Sequence, residues 1–199
     1  MYWERPGKQN THATLAAAVG RAREIGATHI VVASGSGYTA LAAADMVSAY
    51  PDMVLVVVTH HTGFTAPGVQ EMPSDVRLEL ASRGAQVLTT THLFGNVERA
   101  VTSRFGGLYP GGVIANTLRM FGKGVKVCVE IATMALDAGL IPYGREVVAV
   151  AGTGSGADSA IVIIPAHAKD FFDGQILEVI CKPRRAAEDA DRIFRPIKD

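Results

Sequence analysis

Cysteine is almost missing from this chain. There are two in 199 residues, Cys128 and Cys181, far apart and both inside apolar stretches. They form no CxxC pair and no zinc-type spacing, which excludes a disulfide framework and a cysteine metal site. Buried free thiols in a reducing cytoplasm are the expectation. Charge is also scarce: Lys plus Arg and Asp plus Glu number 19 each, so the formal net charge is zero. Without a basic stripe no nucleic-acid partner is expected, and the one basic cluster, KPRR at 182–185, reads as a solvated end. So little charge suggests that further copies of the chain cover part of the surface in a homo-oligomer. The opening residues, MYWERPGKQN, lack the apolar stretch of a secretion signal. No run approaches the ~20 apolar residues that cross a membrane, so no membrane partner is expected. There is no repeat, low-complexity tract or composition break. Residues 1–185 read as one domain and 186–199, AAEDADRIFRPIKD, as a tail forming a short helix or a loose end.

What is present is a regular alternation. NTHATLAAAVGRAREIG (10–26) has apolar positions at helical spacing, with Asn10 or Thr11 as cap and Gly26 as stop. THIVVAS and MVLVVVTH are continuous β-branched runs, as strands buried on both faces should be. Helices are predicted between them over 37–50 and after them over 73–84, with Ser74 as cap and Gly84 as stop. AQVLTTTH (85–92) reads as a third strand. Helix–strand repeats with short joints imply parallel pairing. Residues 96–139 read as three helical segments broken by glycines, the last (VKVCVEIATMALDAGL) a core helix against the sheet. From 146 onward the pattern becomes strand, glycine-rich turn, strand, then QILEVICKP as a further strand, which predicts an antiparallel or mixed edge. The fold class is α/β: a three-layer, open, mostly parallel sheet with an antiparallel or mixed edge.

Two loops stand out. Ser34-Gly35-Ser36-Gly37-Tyr38-Thr39 follows a strand and opens a helix. Unpaired N–H groups and the helix dipole favour an anion there, and glycine lets the backbone come close. Gly152-Thr153-Gly154-Ser155-Gly156-Ala157-Asp158 leads from strand to strand, so it is neither a dinucleotide fingerprint nor a Walker loop. It is a hairpin turn or a partner to the first loop. The segment 59–73 is long for a strand-to-helix joint, and such loops often carry function. It holds His60, His61 and Phe64, the last able to cover an aromatic ligand. Ser34, His60 and His92 stand at the C-terminal ends of three predicted parallel strands, where open α/β sheets bind ligands; His167 follows a later strand as a possible fourth member. No H-x-H or HExxH spacing supports a metal, and no G-x-S-x-G elbow supports a serine hydrolase.

NTHATLAAAVGRAREIGATHIVVASGSGYTA resembles the C-terminal α/β domain of pyruvate kinase. Longer stretches resemble the stand-alone proteins built on that domain: VVVTHHTGF, FGGLYPGGVIANTLRMFGKGVKVCVEIATMALDAGLIP and GTGSGADSAIVIIPAHAKDFFD. The resemblance covers about residues 1 to 185. It implies the pyruvate kinase C-terminal domain fold, without the barrel that carries the kinase's phosphoenolpyruvate, Mg²⁺ and K⁺ sites, so kinase activity is not expected. It also implies that the 34–39 loop holds a phosphate and that the later glycine loop closes on the same ligand. Flavin mononucleotide is the ligand implied, with Phe64, His60 and His92 beside the ring and Thr153, Ser155 and Asp158 as hydrogen-bonding groups. Two alternatives stay open: a non-catalytic module for a phosphorylated metabolite, or a small enzyme using His60, His61 or His92 as acid or base.

Overall fold

The computed structural model describes residues 1–95 and 97–185; the predicted tail, 186–199, lies outside them. Strands β1 (Tyr2–Trp3), β2 (His29–Ala33), β3 (Val54–Val58), β4 (Gln86–Leu88), β5 (Val147–Ala151), β6 (Ser159–Ile164) and β7 (Gln175–Pro183) form one sheet in the order β1-β7-β6-β5-β2-β3-β4. β2 pairs in parallel with β3 and β5, and β3 with β4. β6 is antiparallel to both β5 and β7, and β1 is parallel to β7. Six strands therefore run one way and β6 alone runs against them. The antiparallel pairings of β6 make that side of the sheet mixed, as expected, and β1 adds a short parallel edge strand beyond β7.

The helices are α1 (Thr11–Ile25), α2 (Tyr38–Val47), α3 (Ser74–Ser82), α4 (Val97–Phe105), α5 (Pro110–Arg119) and α6 (Lys123–Asp137). In α1 the buried positions are Thr11, Thr14, Leu15, Ala18, Val19 and Ala22, the stripe that a 3.6-residue period lays on one face. Gly26 ends it in the left-handed region, and Ala27 N donates back to Ala22 O at 2.8 Å. With α2 and α3, this helix covers the sheet face carrying Ile30, Val32, Leu55, Val57, Val148 and Val150. The other face carries Val31, Val56, Val58, Val147, Ala149 and Ile161 and is covered by α6. These are three layers. α6 buries Val125, Val129, Ile131, Met134 and Leu136, each contributing roughly 1.5–3 kcal/mol of transfer free energy.

Several local expectations shift. The Asn10 amide donates to Arg5 O instead of capping α1, and a 3₁₀ turn over Lys8–Asn10 feeds the helix directly. Ser74 is the first residue of α3 and Pro73 holds the cap position, without a side-chain cap bond. β4 stops at Leu88, so Thr89–His92 is loop: Thr59 N donates to Leu88 O, and the Thr59 and Thr89 hydroxyls meet at 2.6 Å, which replaces further ladder pairing. Gly106, Gly107 and Gly122, at φ 75°, 98° and 136°, break the chain between α4, α5 and α6.

Candidate functional site

β3 and β4 lie on one side of β2 and β5 on the other, so the order of the sheet reverses between β2 and β5. The ends of two such strands diverge into their loops and leave a crevice. A cleft of about 720 Å³ opens there, lined by both glycine loops, the 59–73 loop, α4, α5 and the first turns of α6. Of the residues singled out from the sequence, Ser34, Gly35, Ser36, Tyr38, Thr39, His60, Phe64, His92, Gly152, Gly154, Ser155 and Gly156 line it.

In the first loop, Ser34 is buried. Its N–H donates to Val58 O, and its Oγ accepts from Ala40 N at 3.3 Å. Its oxygen thereby helps to start α2, while its O–H remains a donor. Gly37 has φ 96°, and a β-carbon there would fall 2.4 Å from Val76 Cγ1, so both conformation and space require glycine. The N–H groups of Gly37, Tyr38 and Thr39 lie ahead of the first intrahelical bond, Leu41 N to Gly37 O, and make the donor end of α2. Gly37 shapes this turn from behind rather than facing the cleft.

The second loop is tied to the N-terminal segment. Asp158 is fully buried; its Oδ2 accepts from Gly7 N (3.0 Å) and Thr153 N (3.1 Å), and its Oδ1 from Ser159 Oγ (2.9 Å). Asp158 and Thr153 are thereby bound to each other and do not line the cleft, which corrects their expected place at a ligand. A β-carbon at Gly152 would fall 2.2 Å from Gly156 O, and one at Gly156 would fall 2.4 Å from Thr11 Oγ1. The loop is folded too tightly for any other residue at either position.

Four aromatic rings cluster at the cleft mouth. His60 stacks on Phe64 at 3.9 Å and 22°; His92 lies 5.6 Å from His60, 5.1 Å from His61 and 5.5 Å from Phe64. His61 reaches this cluster without lining the cleft. His60 Nδ1 is hydrogen-bonded to Glu71 Oε2. Burial pushes the pKa of His92 down, helped by His60, His61 and Lys126 and opposed by Glu130. Burial thus disfavours the charged form of His92.

His167 does not join them. β6 runs against its neighbours, so the residue that follows it emerges at the opposite end of the sheet. There His167 Nδ1 bonds Asp137 Oδ1 at 2.8 Å and its ring stacks on Tyr143 at 5.6 Å.

The cleft floor holds a pair that reasoning from the sequence passed over. Lys126 and Glu130, one turn apart on α6, are 9% and 5% exposed, with Nζ to Oε2 at 2.5 Å. Phe94 N donates to Glu130 Oε1 at 3.0 Å, and Lys126 Nζ stands 5.3 Å from the centre of the Phe94 ring. Two charges in an otherwise apolar helix face were a legible signal, because buried ion pairs add little stability and gather at sites. Arg99 and Arg119 line the same cleft from α4 and α5. Among the described residues, no group of three or more His, Cys, Asp or Glu is arranged to hold a metal, and no helix is long and apolar enough to cross a membrane.

The solved structures similar to this chain include a Cryptosporidium parvum pyruvate kinase, at 18% identity over 71% of this chain and 20% of that one, with a TM-score of 0.37. The Cryptosporidium parvum enzyme in complex with ADP matches at 19% identity over 76% of this chain and 22% of that one, with a TM-score of 0.40. The chain thus spans about a fifth of the length of these kinases. The family model described as pyruvate kinase, alpha/beta domain, matches residues 12–163. With that match over most of its length and a seven-stranded mixed sheet between helical layers, the chain belongs to the pyruvate kinase alpha/beta domain family.

Proposed function

We propose that the cleft binds a phosphorylated small molecule, and that flavin mononucleotide is that molecule. The observation carrying this reading is the convergence, at the β2/β5 switch point, of a helix donor end with a flat aromatic face. Its volume of about 720 Å³ suits a ligand of this size. The phosphate would sit on the N–H groups of Tyr38 and Thr39, with Ser36 Oγ as a further donor. The ring would lie against the stacked His60–Phe64 pair, with His92 at its edge. Ser155 and the backbone of Gly152–Gly156 would form the facing wall. Gly35 supports this fit, because a β-carbon there would fall 3.2 Å from His60 Nδ1 and crowd the corner between phosphate and ring. Bound flavin supplies hydride or single-electron transfer; these residues bind, orient and shield it. The proposed setting is a cytoplasmic homo-oligomer.

The visible spectrum of freshly purified protein tests this directly. Flavin bands, with the mononucleotide released on denaturation, are expected. A colourless protein that also refuses added flavin mononucleotide overturns it. A second reading then takes over: a non-catalytic module for a metabolite with two anionic groups. Arg99 and Arg119 on the α4 and α5 walls favour that reading, since they offer a second cationic region within the same cleft.

A further inference from the structure

The first loop has an awkward neighbour. A β-carbon at Gly35 would lie 3.6 Å from Glu71 Oε2, so a carboxylate sits against the loop that offers its N–H groups to an anion. Two negative charges at such range repel strongly in a partly desolvated cleft. Between them stands His60, its Nδ1 on Glu71 and its Nδ1–Cε1 edge facing Gly35. Histidine is the side chain that changes charge near neutral pH. A proton on His60 lets Glu71 and an arriving phosphate share one cation instead of opposing each other.

We propose that anion binding on the 34–39 loop is coupled to uptake of one proton by the His60–Glu71 pair, which makes this pair the element that selects a dianionic phosphate over an uncharged group. The proposal rests on the reading that this loop holds a phosphate, and not on flavin being the ligand. Glu71 stays in place throughout: it fixes the ring through Nδ1, and Nε2 is the ring nitrogen left to take or give the proton. Phe64, stacked at 3.9 Å, holds the ring plane. The other charged or titratable groups of the cleft and its aromatic cluster are Tyr38 on α2, His61 on the same loop as His60, His92 after β4, Glu98 and Arg99 on α4, Tyr109 and Arg119 at the two ends of α5, and Lys126 with Glu130 on α6. Lys126 and Glu130 are already paired with each other. Burial lowers the pKa of His92 and so disfavours its charged form. His61 donates through Nδ1 to Thr62 O at 2.9 Å and lies outside the cleft lining. His60 is the histidine that both lines the cleft and touches a carboxylate there.

The test uses sulfate, which stays dianionic across the whole range, so the probe's own titration drops out. Sulfate affinity of the full chain is measured by calorimetry between about pH 5 and 8, in buffers of differing ionisation enthalpy that count the protons taken up. Affinity should rise on the order of tenfold from the alkaline to the acid limb, with about half a proton taken up per sulfate at the midpoint, as a one-unit shift in the pair's affinity for the proton requires. His60→Gln should lose the acid limb. Glu71→Gln should instead raise the alkaline limb, because the repelling charge is gone; a merely structural role for Glu71 would not tighten binding. Circular dichroism and thermal melts confirm that both variants fold. No sulfate binding at any pH overturns the proposal, as does a pH profile unchanged in His60→Gln. A profile that survives His60→Gln and vanishes in His61→Gln or His92→Gln assigns the proton elsewhere and also overturns it. A colourless protein that refuses added flavin mononucleotide yet binds sulfate with proton uptake would sink the flavin reading and leave this proposal standing.

Discussion

The two glycine loops look alike in sequence and differ in what their backbones are doing. In the second, Thr153 N and Ala157 N are given to Asp158 and Thr11, Ser155 N to Thr153 O, and Asp158 N to Ala151 O. Its glycines are there because the turn is crowded, with Gly152 against Gly156 O and Gly156 against Lys8 and Thr11. In the first, Ser34 and Ala40 close the turn, while Gly37, Tyr38 and Thr39 begin a helix and keep their donors. Glycine-rich composition alone therefore does not identify an anion site. What separates the two loops is whether a helix follows. The first loop is a donor surface, and the second is a rigid wall anchored to the N-terminal segment.

That contrast can be broken by substitution. The largest effect belongs to Asp158→Ala, which strands the N–H groups of Gly7 and Thr153 and the Ser159 hydroxyl in a buried place. A loss of roughly 3–5 kcal/mol in unfolding free energy is expected from urea titration. A variant as stable as the parent would show that the wall is not held this way. Gly37→Val comes next. Its β-carbon would meet Val76, and the positive φ alone costs about 1–2 kcal/mol. Because the damage falls on the first turn of α2, anion affinity should drop on the order of tenfold while the far-ultraviolet spectrum is kept. Retained affinity would move the anion off this loop. Ser34→Ala is the mildest. It removes one acceptor from Ala40 N and should cost about 1 kcal/mol of stability, as loss of a capping hydroxyl does, with little direct effect on anion binding. A large loss of anion affinity at unchanged stability would instead make Ser34 a ligand group.

Much of this was readable beforehand, for identifiable reasons. The β-branched runs of β2, β3 and β5 and the 3.6-residue stripe of α1 report burial directly, so the layers and the mostly parallel sheet followed, but not the strand order. The loops after β2, β3 and β5 reached one end of the sheet because those strands are parallel. His167 was misplaced because strand direction is set by pairing, which local sequence does not record; β6 reads as a strand whichever way it runs. Asp158 was misjudged because a polar residue in a glycine loop looks free until its distant partner, Gly7, is known. β4 looked longer than it is, since Thr89–Thr91 have strand propensity and no pairing to satisfy it. Lys126 and Glu130 could have been found from their one-turn spacing in an apolar helix, whereas the approach of Glu71 to Gly35 depends on how a fifteen-residue loop folds back.

The β2–β5 pairing that frames the cleft also bears on the order of assembly. It joins residues 30–32 to residues 148–150, while α6, β5, β6 and β7 are consecutive in the chain and pack on one another. Short-range partners close at small entropic cost and distant ones slowly. The C-terminal third can thus form a sheet of its own early, but the crevice does not exist until the two halves of the chain meet. Ligand affinity is in this sense a readout of completed folding, and a bound ligand would stabilise a contact between segments far apart in the chain.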